Sequence, residues 1–374
     1  MDDLIPFAPY ETEHHLGEVL LGLGRLVSGY SFWDLPRSRV AICLLVDGLG
    51  WRQVQEYAGI MPTIESHGRK ALVAPFPCST PVSLATLGIG VLPGEHGMIA
   101  SRMLLNRHRF HNLKWLYDKE GEESPDPIVA QPRATVPELV SARGIPVSLV
   151  SDARMKSAGY NIAVWRGGEL YQCANLDEVA AKTIEMARRP GPRLIYAYTS
   201  MVDDAAHEFG VGSEQHMEVL KLVERAAVTF LRGLPTDAVL LLTADHGHVN
   251  LDRNQVVYSD RVPELKRGVR WVGGDLRAAQ VYAKATTTDD AFERWQQFFG
   301  NDRWVVRREE LITKGWFGSR VTDEVRTRIG DFLVIDKDRG GVAQAPKTNG
   351  KPQVSTHAAW TENEMLIPNV VLRP

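Results

Sequence analysis

Seven side chains in this sequence are of the types that ligate divalent metals or act as nucleophiles: Asp47, Thr80, Asp203, His207, Asp245, His246 and His357. Most of them follow directly on apolar, β-rich runs. Each has a plainer use alone, because an acid after a strand commonly caps the next helix and a single histidine is commonly a satisfied core or surface residue. Together they offer oxygen and imidazole donors without thiolates, a set suited to Zn2+, Mn2+ or iron, and seven can serve two ions. Asp203 and His207 lie four residues apart in TSMVDDAAHEFG, so a helical turn puts both on one face. Adjacent Asp245 and His246 would point apart on a strand, but in the turn just past one, before Gly247, both can converge on a cleft.

The elements that must position these groups are legible in outline. VAICLLV at 40–46 is a continuous apolar run ending at Asp47-Gly48, which reads as a central parallel strand delivering an acid at its C-terminal edge, where open α/β sheets bind ligands. The same pattern recurs at 146–150, at 194–198 and at 238–243 ahead of Ala244-Asp245-His246-Gly247. Helical stretches are expected between them, over 82–89, 136–142, 176–188 and 215–231. Strand–helix alternation predicts an α/β fold with a central, mostly parallel sheet flanked by helices. Two regions break the rhythm. Residues 99–133 read as an inserted hairpin and loop, and residues 264–345 as an inserted cap subdomain, leaving 1–263 and 346–374 as the catalytic domain.

Composition bounds the function. With 374 residues, 43 Lys+Arg against 46 Asp+Glu, and 44% hydrophobic residues, the chain is near the globular average, and no nucleic-acid polymer is expected as a partner. No apolar run approaches the roughly 20 residues of a membrane helix, so no membrane partner is expected. The N-terminal stretch has neither a basic n-region nor an uninterrupted apolar core, and a cytoplasmic location is the expectation. Cys43, Cys78 and Cys173 are too few and too scattered for a disulfide framework or a thiolate metal cluster.

In order along the chain stand VDGLG at 46–50, FPCSTPVSLATLGIGVLPGEHG at 76–97, Asp203 and His207, Ala-Asp-His-Gly at 244–247 and Ser-Thr-His at 355–357. This series resembles the alkaline phosphatase superfamily, and within it the type I phosphodiesterase/nucleotide pyrophosphatase family. The resemblance implies an alkaline-phosphatase-like fold and two divalent ions, zinc first, with manganese or iron as alternatives. It implies Thr80 as nucleophile, by count from His96-Gly97. It further implies one ion on Asp203, His207 and His357, and the other on Asp47, Asp245, His246 and the Thr80 oxygen. Two such ions about 4 Å apart clamp the attacking and leaving oxygens of an in-line displacement. The sulfatase pattern Cys-x-Pro-x-Arg fails here, since Thr80 and Val82 stand where Pro and Arg would be.

Where the family carries an Asn that donates to a phosphoryl oxygen, this chain has Ser101. Arg102 or Lys114 on the expected hairpin could supply positive charge, and His248 could touch substrate. The basic segment Arg154-Met-Lys156 reads as a surface loop. The function expected is hydrolysis of phosphodiester or pyrophosphate bonds in a nucleotide-like or other small-molecule phosphate ester, through a covalent phospho-threonine. The alternatives are a phosphomonoesterase or phosphonate hydrolase on the same two-metal scaffold and, in another class, a non-catalytic binding protein.

Overall fold

A computed structural model describes residues 6, 8–11, 13–119, 121–152, 158–345 and 353–374. Arg154 and Lys156 lie outside the described residues. The run Val40–Val46 forms a strand buried along its whole length, as a continuous apolar sequence requires when helices cover both faces of a sheet. It sits at the centre of a six-stranded sheet. Arg193–Thr199 and Ala238–Thr243 flank it in parallel, followed on the Arg193 side by Val147–Asp152 and Glu169–Cys173. Val370–Leu372 closes the other edge, antiparallel to Ala238–Thr243.

Register explains why the acids meet. Val46 stands opposite Thr199 and Leu45 opposite Thr243, so Asp47, the turn before Asp203 and the turn carrying Asp245 all leave the sheet at one edge. The backbone ties them there: Asp47 N donates to Thr199 O at 3.0 Å, and Asp203 N donates to Asp47 O at 3.0 Å.

A second sheet has seven antiparallel strands. Its order is Arg303–Arg307, Phe332–Asp336, Ala278–Ala283, Val269–Asp275, Arg102–Leu105, His108–His111 and Leu116–Tyr117. The two inserted regions therefore join, through Gly274 opposite Arg102, in one sheet. The helix Thr288–Phe299 packs Trp295 and Phe299 against Phe332 in a smaller core of its own. Among the described residues, no helix is long and apolar enough to cross a membrane.

Candidate active site

Thr80 begins the helix Thr80–Ile89, all ten residues of which are buried. Pro81 suits the first helical turn, where its missing N–H has no intrahelical partner to lose, and Gly90 ends the helix in the left-handed conformation at φ 76°. Ser83 in the first turn donates its hydroxyl to the Asp245 carbonyl at 2.8 Å, which fastens this helix to the turn after the central sheet. Thr80 Oγ1 then lies 3.2 Å from His246 Nε2.

The other groups converge from their own elements. Asp203 and His207 stand on one face of the helix Met201–Phe209, with His207 Nε2 3.3 Å from Asp203 Oδ1. His246 Nε2 is 3.5 Å from Asp47 Oδ1 and 3.3 Å from Asp245 Oδ2. The His357 ring stacks on that of His246, centroids 3.5 Å apart. Glycine makes the convergence possible: at Gly48, with φ 80°, a Cβ would come within 2.8 Å of Asp203 Cα.

The structure thus brings the seven expected residues together. Three sets have ligand atoms mutually within 4.8 Å: Asp203, His207 and His357; Asp47, Asp245 and His246; and Asp203, His246 and His248. Proton positions separate ligands from supports. His207 Nδ1 faces Ser355 O at 2.7 Å, His357 Nδ1 faces Cys78 O at 3.0 Å, and His246 Nδ1 faces Gly247 O at 3.2 Å. A carbonyl oxygen only accepts, so each Nδ1 carries a proton, and in a neutral ring Nε2 keeps its lone pair for the cleft. His248 is reversed: its Nε2 lies 2.9 Å from Asp203 Oδ1, a carboxylate that can only accept, while its Nδ1 can accept from the Ser355 hydroxyl at 3.0 Å. It holds a carboxylate rather than offering a lone pair.

Electrostatics keep two of the three rings neutral and charge the third. Burial lowers His246, and burial with the neighbouring histidines holds His357 well below the ordinary range, so both stay neutral donors. Burial lowers His207 as well, but the Asp203 carboxylate outweighs it and brings His207 to about 9. Burial and the Asp203 charge push Asp245 up to about 7. Its Oδ1 accepts from Gly48 N at 3.0 Å and His246 N at 3.1 Å, whereas Oδ2 is buried with no hydrogen-bond partner among the described residues. An acceptor left over in a crowd of acids and neutral imidazoles is what a bound cation satisfies, so the donor set fits divalent metal.

Of the other residues singled out in the sequence, His248 is buried against Asp203 as described. Ser101 donates its backbone N–H to Asp275 Oδ2 at 3.2 Å. Arg102 pairs with Asp118, and Lys114 is exposed. Sequence reasoning missed several supports. Tyr198 donates to Asp47 Oδ2 at 2.5 Å, and its place in a continuously buried strand gives no sign of this. Asp152 accepts from Ser200 N at 3.2 Å and braces the turn leading to Asp203; the acid at the end of an apolar run was the available signal. Asp275 reads locally only as a hairpin-turn acid.

Helix and strand ends that carry candidate metal-ligand side chains to one edge of a mostly parallel sheet belong here to a hydrolase with an alkaline-phosphatase-like fold. Residues 41–360 match the type I phosphodiesterase / nucleotide pyrophosphatase family, and the chain belongs to that family. No curated protein matches the chain. Among solved structures, human ectonucleotide pyrophosphatase/phosphodiesterase 5 is similar at 16% identity and TM-score 0.68, covering 89% of this chain and 88% of the other. An inactive threonine-to-alanine variant of the murine protein, in complex with AMP, matches at 15% identity and TM-score 0.65, with 89% and 87% covered. Phosphonoacetate hydrolase from Sinorhizobium meliloti, in complex with phosphonoacetate, matches at 18% identity and TM-score 0.67, with 91% and 92% covered.

Proposed function

We propose that this chain hydrolyses phosphodiester or pyrophosphate bonds of a nucleotide-like or other small-molecule substrate, with Thr80 as the nucleophile. The observation that carries the reading is a hydroxyl at the start of a buried helix, 3.2 Å from an imidazole nitrogen of the metal-ligand cluster. Asp203, His207 and His357 would hold one ion, and Asp47, Asp245, His246 and Thr80 Oγ1 the other; zinc is the expected metal, with manganese or iron as alternatives. When bound, such ions supply Lewis-acid activation of the hydroxyl and neutralise charge on the phosphoryl oxygens.

The chain's own groups do the rest. Thr80 Oγ1 gives its proton to solvent water and bonds to phosphorus as the bond to the leaving oxygen breaks, giving phospho-Thr80 and a leaving group that takes a proton back from water. A water molecule next bonds to phosphorus, the P–Oγ1 bond breaks, and the threonine hydroxyl is restored. Tyr198 fixes Asp47, and the three carbonyls fix the imidazole tautomers, so these groups need no rearrangement during either step. The inactive threonine variant of the murine relative supports the role given to Thr80.

Similarity to phosphonoacetate hydrolase supports a second reading, a phosphonate hydrolase or phosphomonoesterase on the same scaffold. The buried free thiols of Cys43, Cys78 and Cys173 support a cytoplasmic location. The test measures bound metal together with turnover of bis-p-nitrophenyl phosphate, p-nitrophenyl phosphate, phosphonoacetate and an NDP-sugar. Two ions per chain, chelator-sensitive turnover and preference for the diester or NDP-sugar support the first reading. Metal-free protein that keeps its full rate after chelation overturns it, and preference for phosphonoacetate or the monoester selects the second.

A further inference from the structure

One acid beside the nucleophile belongs to neither ligand set. Asp275 ends the strand Val269–Asp275, next to Gly274, where the two inserted regions meet. Its Oδ2 accepts from Ser101 N at 3.2 Å and from Ser79 Oγ at 3.4 Å. Ser79 immediately precedes Thr80, so their Cα atoms are about 3.8 Å apart. Ser101 is the residue at the position where an Asn donor to the phosphoryl group is expected. Asp275 is therefore held between the residue that precedes the proposed nucleophile and Ser101, with its carboxylate engaged by both. No Lys or Arg pairs with it among the described residues; Arg102, across the sheet from Gly274, turns to Asp118 instead.

A partly buried acid paired with no Lys or Arg repels further negative charge in a cleft where water screens poorly. A phosphate monoester carries close to two negative charges at neutral pH, and a diester carries one. We propose that Asp275 is a specificity-determining residue whose carboxylate disfavours dianionic monoesters and leaves monoanionic diesters as the preferred substrates. The inference rests on the phosphodiesterase reading and deepens it: charge is rejected from the second sheet, and bond cleavage is carried out from the first.

The test compares kcat/KM for bis-p-nitrophenyl phosphate and p-nitrophenyl phosphate in the wild type, Asp275→Asn and Asp275→Glu. The isosteric amide should shift the diester-to-monoester ratio about tenfold or more toward the monoester, whereas the charge-retaining Glu variant should keep the wild-type preference. If the amide does not fold, Asp275→Ser removes the same charge in a smaller side chain and serves in its place. Titration calorimetry of the zinc-loaded chain with inorganic phosphate reads the effect without turnover, and affinity should rise about fivefold or more in the uncharged variant. A ratio and a phosphate affinity both within about twofold of wild type overturn the proposal. So does a Glu variant that matches the amide. Should the wild type cleave neither ester, the phosphodiesterase reading fails by itself, and the phosphate titration still decides the role of Asp275.

Discussion

At the scale of single residues, Thr80 carries the most. On the proposed mechanism, removing its hydroxyl would take away the attacking atom and a metal ligand while leaving the helix intact. Thr80→Ala is expected to lower the diester rate by about 10⁴-fold, equivalent to about 5.5 kcal/mol of transition-state stabilisation, while Thr80→Ser keeps measurable activity. Steady-state kinetics beside circular dichroism checks both. Ser83 is no neutral comparison, because its hydroxyl holds the Asp245 carbonyl. His248 calls for a different measurement. As a donor to Asp203 it would orient a proposed ligand, so His248→Ala should weaken metal affinity by about 10- to 100-fold. His248→Gln, whose amide can still donate from a similar place, should recover part of it. Metal-buffered titration is the readout; an Ala variant that binds metal like wild type refutes the positioning role.

At the scale of elements, the turn after the nucleophile helix contains a histidine that must stay neutral. His96 Nδ1 accepts from Met98 N at 3.1 Å, and its Nε2 lies 2.9 Å from Thr86 Oγ1, whose own proton goes to Val82 O. Burial, with the cations of Arg328 and Arg133, lowers its pKa to about 3. The unfolded chain takes up this proton near pH 6.5 and the folded one only near 3. Its contribution to stability is therefore complete above about pH 6.5 and is lost as pH falls toward 3, at about 1.4 kcal/mol per pH unit. His96→Asn keeps an acceptor near Nδ1 and removes the titration, so urea midpoints between pH 7 and 4.5 should fall less steeply in the variant. Equal slopes would disprove the assignment.

These elements also show what a sequence can and cannot tell. Asp47 and Asp245 were legible because each ends a continuous apolar run. Their convergence was legible because parallel register carries such ends to one edge. The partners that set the imidazole tautomers were not, since they are backbone carbonyls of Cys78, Gly247 and Ser355, atoms that every residue possesses. Nor was the union of the hairpin with the later strands, whose strand pairing is Gly274 with Arg102, far apart in the chain and without a local pattern.

At the scale of the whole molecule, a buried ion network, in which Arg277 pairs with Glu364 and Asp336, binds the second sheet to the segment that carries His357. Arg277 Nε and Nη2 reach Glu364 Oε1 and Oε2 at 2.7 and 2.9 Å, both side chains wholly buried. Glu364 also accepts from Ala359 N through its carboxylate, and from Gly247 N through its backbone carbonyl. Arg277→Met leaves that carboxylate unpaired and should cost about 3–5 kcal/mol, whereas Arg277→Met with Glu364→Leu should regain most of it. Chemical denaturation of the metal-loaded protein distinguishes the two, and equal loss in both variants would mean that the pair's charge is not what matters.

The joint at Gly274 and Arg102 also bears on how such a protein can change its diet. Ser101 and Asp275, which would border the reacting group, come from two segments that lie far apart in the gene, so neither segment can be exchanged alone without disturbing the strand pairing that aligns them. A graft from a relative would have to move both at once, and a lineage acquiring a new substrate would have to alter them together.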